Sequence, residues 1–213
     1  MKIIQPSLPK SFIKPDDVAD FFDSDDTISG VHVENSWLIT DDLRKKSILE
    51  SLFTKTDFSQ VDVPRFDVTD CDFRGCNFIA SKFPDSTWHR ISIDGARCSG
   101  MQLTDSTLKN VDFKNSKLEL VNFRFSHLEN VAFENCVLND VDFYDAKLKN
   151  VEFVNCTINS ITFASARMMH VDISESTVEN IKGINSLRGV TISYDQLMQL
   201  APAFATEAGI KVK

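Results

Sequence analysis

The sequence predicts an all-β fold, a parallel β-solenoid whose four-sided coils take about 20 residues each. Three observations carry that prediction. First, an apolar residue returns at every fifth position, from Phe53, Phe58, Val63, Val68 and Phe73 through to Phe163, Met168, Ile173 and Val178. A period of five fits neither an α-helix, at about 3.6, nor a flat strand, at about 2, so the chain must turn a corner every five residues and stack on itself. Second, the large residue alternates. Phe113, Phe123, Phe133 and Phe143 each follow a Val two residues earlier, whereas Leu118, Leu128, Leu138 and Leu148 follow Ser, Cys or Ala. Neighbouring sides then differ and opposite sides match, which fills each coil to a constant volume. Third, Asn110, Asn130 and Asn150 share one outward column and Asn115, Asn135 and Asn155 another, both at a spacing of 20. Stacked amides hydrogen-bond to one another or close turns, where Asn tolerates the backbone required.

Taken in chain order, residues 1–30 read as an N-terminal segment or cap, 31–185 as the repeat, and 186–213 as a helical cap. Within the first segment Pro15 to Phe22 predicts a short helix with Pro in its first turn, and Phe21 and Phe22 cover the first coil. From Ile28 the five-step continues loosely through Val33, Leu38, Leu43 and Ile48, but it would turn Asp41 and Lys46 inward. Buried charges without partners are costly, so residues 31–50 are expected to form an irregular coil or a loop-bearing entry to the solenoid. An open solenoid end is an unpaired edge and needs a cap. Ser193-Tyr194-Asp195-Gln196 reads as a capping box that opens a helix, with Leu197, Leu200, Ala201, Phe204 and Ala205 as its apolar stripe and Gly209 as its stop. Pro202 inside it predicts a kink or two short helices.

Composition narrows the class of protein. A net charge of −8 disfavours direct nucleic-acid binding and leaves basic partners open. No run approaches the roughly 18 apolar residues of a membrane span, and the N-terminus has no apolar stretch of a secretory signal. A cytoplasmic protein is the expectation. Four cysteines, Cys71, Cys76, Cys136 and Cys156, take the small inward position, and Cys98 takes the large one. Cys136 and Cys156 should stack about 4.8 Å apart in adjacent coils. A disulfide there is sterically conceivable, but packing as free thiols is expected in a reducing compartment.

Stretches such as Cys76-Asn77-Phe78, Val111-Asp112-Phe113, Val121-Asn122-Phe123, Val141-Asp142-Phe143, Ala146-Lys147-Leu148 and Val171-Asp172-Ile173 resemble the pentapeptide-repeat family, whose motif is roughly A(D/N)Lxx. The resemblance implies a right-handed quadrilateral β-helix. Val or Ile at alternate small positions, and Phe66 in a small slot, depart from the strict motif and imply a slightly bulged cross-section in the first coil. Members of the family that confer quinolone resistance bind type II topoisomerases and resemble a DNA segment in shape and charge. They also form homodimers, which here would involve the C-terminal helix residues Leu197, Leu200 and Phe204. Several of those members depend on loops inserted between repeats, and this chain has none.

No enzymatic chemistry is expected, and no cofactor or metal. His89, His127 and His170 project from one side, but each sits in a different coil and slot, so solvated surface histidines are the reading rather than a zinc site. No phosphate-binding loop or nucleophile elbow is present, and the serines lie mostly at small inward positions. Function must then reside in the walls. The wall built on Phe53, Phe73, Phe113, Phe133 and Phe153 carries Asp72, Asp94, Asp112, Glu134, Glu152, Asp172 and Glu175 against Lys55, Arg74 and Lys114, and is the candidate interaction face. The histidine-bearing wall is net basic, with Arg90, Lys109, Lys147, Lys149 and Arg167 against Asp67, Asp70 and Glu129. The expected function is a non-catalytic protein-binding rod with another protein as partner. The alternative is a DNA mimic that binds gyrase or topoisomerase IV.

Overall fold

The computed structural model describes residues 2–24 and 26–211. It is a four-walled parallel β-helix of about eight coils, closed at the C-terminal end by a helix. Strand pairing holds a register of 20 through the body of the rod: Val68 pairs with Trp88, Trp88 with Leu108, Phe113 with Phe133, and Phe133 with Phe153. Each coil donates its backbone N–H groups to the carbonyls of the neighbouring coil, so the ladder runs along the rod axis. Two adjacent walls carry the long strands, for example Thr107–Lys114 and His127–Glu134. The other two walls are stitched mainly by short strands and isolated bridges, such as Asn77 to Arg97 and Lys82 to Gln102.

The corners explain the period. Left-handed backbone recurs at five-residue intervals, including Asp70, Asp85, Arg90, Asn110, Asn130 and Asn150. That conformation suits Gly, Asn and Asp and costs other residues roughly 1–2 kcal/mol. Asn130 Nδ2 donates to Asn110 Oδ1 at 3.4 Å, and Asn150 Nδ2 donates to Asn130 Oδ1 at 2.9 Å, so the first asparagine column is an amide ladder. The second column works differently: Asn115 donates sideways to Asp94 Oδ1 at 2.7 Å.

Both inward series are buried along almost the whole rod. In the C-terminal half the phenylalanines form two face-to-face stacks on opposite walls. Phe113, Phe133 and Phe153 stack at 5.1 and 4.8 Å, and Phe123, Phe143 and Phe163 at 4.9 and 5.6 Å. The stacks mesh edge-on, with Phe133 meeting Phe123 and Phe143 at 6.3 Å each. The N-terminal half departs from the opposite-wall rule. There Phe53–Phe73 and Phe58–Phe78 stack on adjacent walls, at 5.0 and 4.9 Å. Ile93, Cys98 and Leu103 separate the two arrangements, and Phe66 fills space against Phe83 and Trp88.

Helix α1 (Val18–Ser24) lays Phe22 fully into the core, with Phe21 packed against it. The sheet already includes Thr27–Ser29, which pairs with Ser47–Leu49. Val33, Leu38, Leu43 and Ile48 are all buried, so the coil over 31–50 is regular in its core. Its irregularity is confined to helix α2 (Thr40–Leu43), one turn that replaces a wall and leaves Asp41 exposed instead of inward. A helical turn thus resolves the buried-charge conflict at Asp41.

At the other end, helix α3 (Tyr194–Glu207) opens on the capping box. Ser193 Oγ accepts from the Gln196 N–H at 3.2 Å, and Gln196 Oε1 accepts from the Ser193 N–H at 2.9 Å. Pro202 does not divide α3, which runs unbroken through it. The helix stops in a Schellman pair, Ile210 N–H to Ala205 O at 2.8 Å and Gly209 N–H to Thr206 O at 3.0 Å, with Gly209 at φ +74. The amide of buried Gln196 also donates to the carbonyls of Ile173 and Ser176 at 2.7 and 2.6 Å. One side chain therefore caps both the helix and the free edge of the solenoid. Just before α3 the coil shortens, and Gly183 is required there: a Cβ would lie 2.4 Å from Ala164 N.

Candidate interaction surface

The acidic wall is less open than its register suggests. Asp72 and Asp112 are buried, the latter 2% exposed, while Asp94, Glu134, Glu152 and Asp172 are half-buried and Glu175 is exposed. Two of these carboxylates are neutralised within the wall. Asp72 Oδ2 accepts from Arg74 Nε and Nη2 at 2.9 and 2.6 Å, and Asp112 Oδ2 pairs with Lys114 Nζ at 2.7 Å. Donating to these carboxylates raises Arg74 and Lys114 further above their ordinary values. Asp172 Oδ1 closes a local turn by accepting from the Ser174 N–H and hydroxyl at 2.8 and 2.7 Å.

The chain's own N-terminus reaches the edge of this wall at Asp112. Gln5 Nε2 donates to Asp112 Oδ2 at 3.0 Å, and the Ser7 N–H donates to Asp70 Oδ1 at 2.9 Å. Ile13 then joins the first coil, donating to Gly30 O and accepting from the His32 N–H, both at 2.8 Å. Residues 3–13 therefore run as an extended strap along the edge between the histidine-bearing wall and the acidic one. The two carboxylates it touches, Asp70 and Asp112, are buried, as are Asp72 and Asn110 on the same edge. Asp112 Oδ1 has no hydrogen-bond partner among the described residues. Asp70 is held by a bidentate contact from Arg90, whose guanidinium also meets the His89 ring at 3.1 Å. Burial tends to raise the Asp70 pKa, but the bonds from Arg90 and Ser7 outweigh it and hold this carboxyl below its ordinary range. Burial and the Arg90 charge together push His89 down.

The three histidines stay apart: His89 is tied to Arg90, His127 is exposed, and His170 ends the asparagine ladder by contacting Asn150 Oδ1 at 3.2 Å. No cluster of three or more His, Cys, Asp or Glu residues able to hold a metal occurs among the described residues. The basic wall is also internally paired, with Glu129 bridging Lys149 at 2.7 Å and Lys109 at 3.4 Å. All five cysteines are free and buried, and burial pushes the thiols of Cys71, Cys76 and Cys98 up to about 12. A shallow cavity of about 650 Å³ lies near the C-terminal end, lined by Arg167, Met168, Met169, His170 and Arg188 among others. No helix is long and apolar enough to cross a membrane among the described residues.

On α3, Leu200 is buried against the last coil and Phe204 packs partly on it, whereas Leu197 is 44% exposed beside Met198 and Tyr194. Two surface features escaped the repeat pattern. The strap was detectable as charge segregation: Lys2, Lys10 and Lys14 precede the first acid, Asp16. The second is a pair of bulky corner residues, exposed Leu120 and Phe125, the latter edge-on to half-buried Tyr144, with the Arg124 guanidinium 4.7 Å from the Tyr144 ring centre and 5.7 Å from that of Phe125. Its signal was the presence of bulky residues in corner slots where Asn, Asp and Gly prevail.

The family model described as "Pentapeptide repeat region" matches residues 66–143 and 106–183. The chain belongs to the pentapeptide-repeat family. No curated protein matches its sequence. Among solved structures it is similar to a trypsin-treated variant of QnrB1, a plasmid-mediated fluoroquinolone resistance protein, at 14% identity over 87% of this chain and 99% of that one, with a TM-score of 0.45. It is also similar to HetL, a pentapeptide repeat protein involved in heterocyst differentiation regulation from Nostoc sp. strain PCC 7120, at 13% identity over 79% and 90%, TM-score 0.23. Rfr23 from Cyanothece 51142 matches at 13% identity over 73% and 87%, TM-score 0.36.

Proposed function

We propose that this protein is a non-catalytic rod that binds another protein through its walls. The observation that supports it is the distribution of polar chemistry. Ionisable side chains are spread over long convex walls, several of them paired with one another, and no convergent set of acid, base and nucleophile is gathered in a cleft among the described residues. A rigid backbone ladder then presents side chains at fixed intervals, which suits recognition of an extended surface. The more open part of the acidic wall, Asp94, Glu134, Glu152, Asp172 and Glu175, favours a basic partner. The test is cross-linked capture from cell extract with the wild type and a Glu134→Lys/Glu175→Lys variant. A partner held by the wild type and lost by the variant supports the reading; identical capture by both removes the acidic wall from it.

A narrower version takes a type II topoisomerase as that partner, with the rod standing in for a DNA duplex. It draws on the same acids, but Arg74 and Lys114 dilute their charge density. Gyrase supercoiling with and without ciprofloxacin decides it: neither inhibition nor protection at micromolar protein eliminates this version. The exposed apolar side of α3, Tyr194, Leu197 and Met198, supports a homodimer, which sedimentation of the wild type and of Leu197→Asp would test.

A further inference from the structure

We propose that the edge carrying Asp70, Asp72 and Asp112 is a docking groove for an extended basic peptide segment, which residues 3–13 fill in cis, so that a partner enters by displacing this strap. The inference rests on the protein-binding reading and specifies its surface.

Four observations converge. The strap is seated on the groove by polar contacts of a kind any extended segment could supply: one side-chain amide, from Gln5 to Asp112, and one backbone N–H, from Ser7 to Asp70. The occupant in place is itself basic, because residues 1–15 hold three lysines and no acid, while the three aspartates of the edge are each shared with a wall cation, Arg90, Arg74 or Lys114. The groove is under-filled in chemistry: Asp112 is 2% exposed, yet its Oδ1 has no hydrogen-bond partner among the described residues. A buried carboxylate oxygen accommodates a second donor, which a segment with a lysine or arginine near the Gln5 position would bring. Finally, the strap is tethered lightly. Ile4 is 56% exposed, Gln5 and Ser7 are exposed, and Ile3, Pro6, Leu8, Pro9 and Phe12 are no more than half-buried. A segment with so little buried surface opens locally without the rod unfolding.

The tether sets the threshold for entry. An end segment held by a short linker competes at an effective concentration on the order of millimolar. For a free peptide with an intrinsic Kd near 10 μM, that occupancy weakens apparent binding by about 100-fold.

The test uses the full chain and, as probe, a fluorescein-labelled peptide of residues 2–14. The double variant Gln5→Ala/Ser7→Pro removes the strap's side-chain amide and its N–H donor, and leaves every wall residue in place. The released variant should bind the peptide saturably, about 100-fold tighter than the wild type does, as the tether argument requires. Adding Asp70→Asn should reverse most of that gain. A peptide of the same composition in scrambled order should bind at least tenfold more weakly. Equal peptide binding by released and wild-type chains, or equal binding of the scrambled peptide, overturns the proposal. So does hydrogen exchange showing residues 3–9 protected as strongly as strand His127–Glu134, since the strap would then be core. These outcomes are independent of the capture experiment, which can fail with the groove intact.

Discussion

Phe133→Ala probes the part of the core on which the rod depends most. Phe133 stacks on Phe113 at 5.1 Å and on Phe153 at 4.8 Å, both within about 10° of parallel, and meets Phe123 and Phe143 edge-on at 6.3 Å. Its backbone pairs with Phe113 on one side and Phe153 on the other, so neighbouring coils cannot close on the hole. Truncating a buried Phe costs about 3–5 kcal/mol, and each aromatic pair adds about 0.5–1.5 kcal/mol beyond area. With four ring partners and no collapse, the loss belongs at the upper end, about 5 kcal/mol. Phe163→Ala is the internal comparison. Phe163 is equally buried but ends its stack, touching Phe143 at 5.6 Å, so about 3 kcal/mol is expected. Equilibrium unfolding in guanidinium chloride, read at unchanged m, measures both. A loss below about 2 kcal/mol for Phe133→Ala, or an equal loss for the two variants, would refute the idea that ring stacking carries the coil-to-coil coupling.

Gln196→Ala should destabilise by about 2–3 kcal/mol, because the carbonyls of Ile173 and Ser176 lose their donor at the solenoid end; thermal unfolding checks it, and a neutral result would mean water replaces the amide fully. Leu120→Asn should stabilise by about 0.5–1 kcal/mol, since Leu120 is 65% exposed at φ +54 and gains little from burial; a lower Tm would show that its side chain is held by contacts. Asp70→Asn should be less stable than the wild type at pH 7. Because the folded Asp70 carboxyl titrates below the ordinary 3.8, its contribution is present above that value and is lost as pH falls through the lower folded pKa. The gap between variant and wild type should thus be flat from neutral pH down to about pH 5 and narrow below 3.8; a gap that widens on acidification contradicts the assignment.

Particular residues mark the boundary between what the order of residues establishes and what the folded chain adds. Phe133 could be placed at the centre of a coil from its period alone, because a repeat of 20 forces every fifth side chain to the same depth and couples each residue to positions at a fixed offset. The same regularity identified the asparagine ladder, and a local motif identified the capping box at Ser193. Periodicity does not reach contacts between segments that lie outside it. Nothing in the repeat places Gln5 on Asp112, Ser7 on Asp70, or the Gln196 amide on the carbonyl of Ile173. Those pairings depend on where a non-repeating end happens to run over the rod. The five-residue pattern by itself therefore determined the coil, its core and the assignment of charges to walls, since it acts locally and repeats. Only the tertiary structure decided which acids on those walls are open to a partner, because solvent exposure is set by whatever else the chain lays across them.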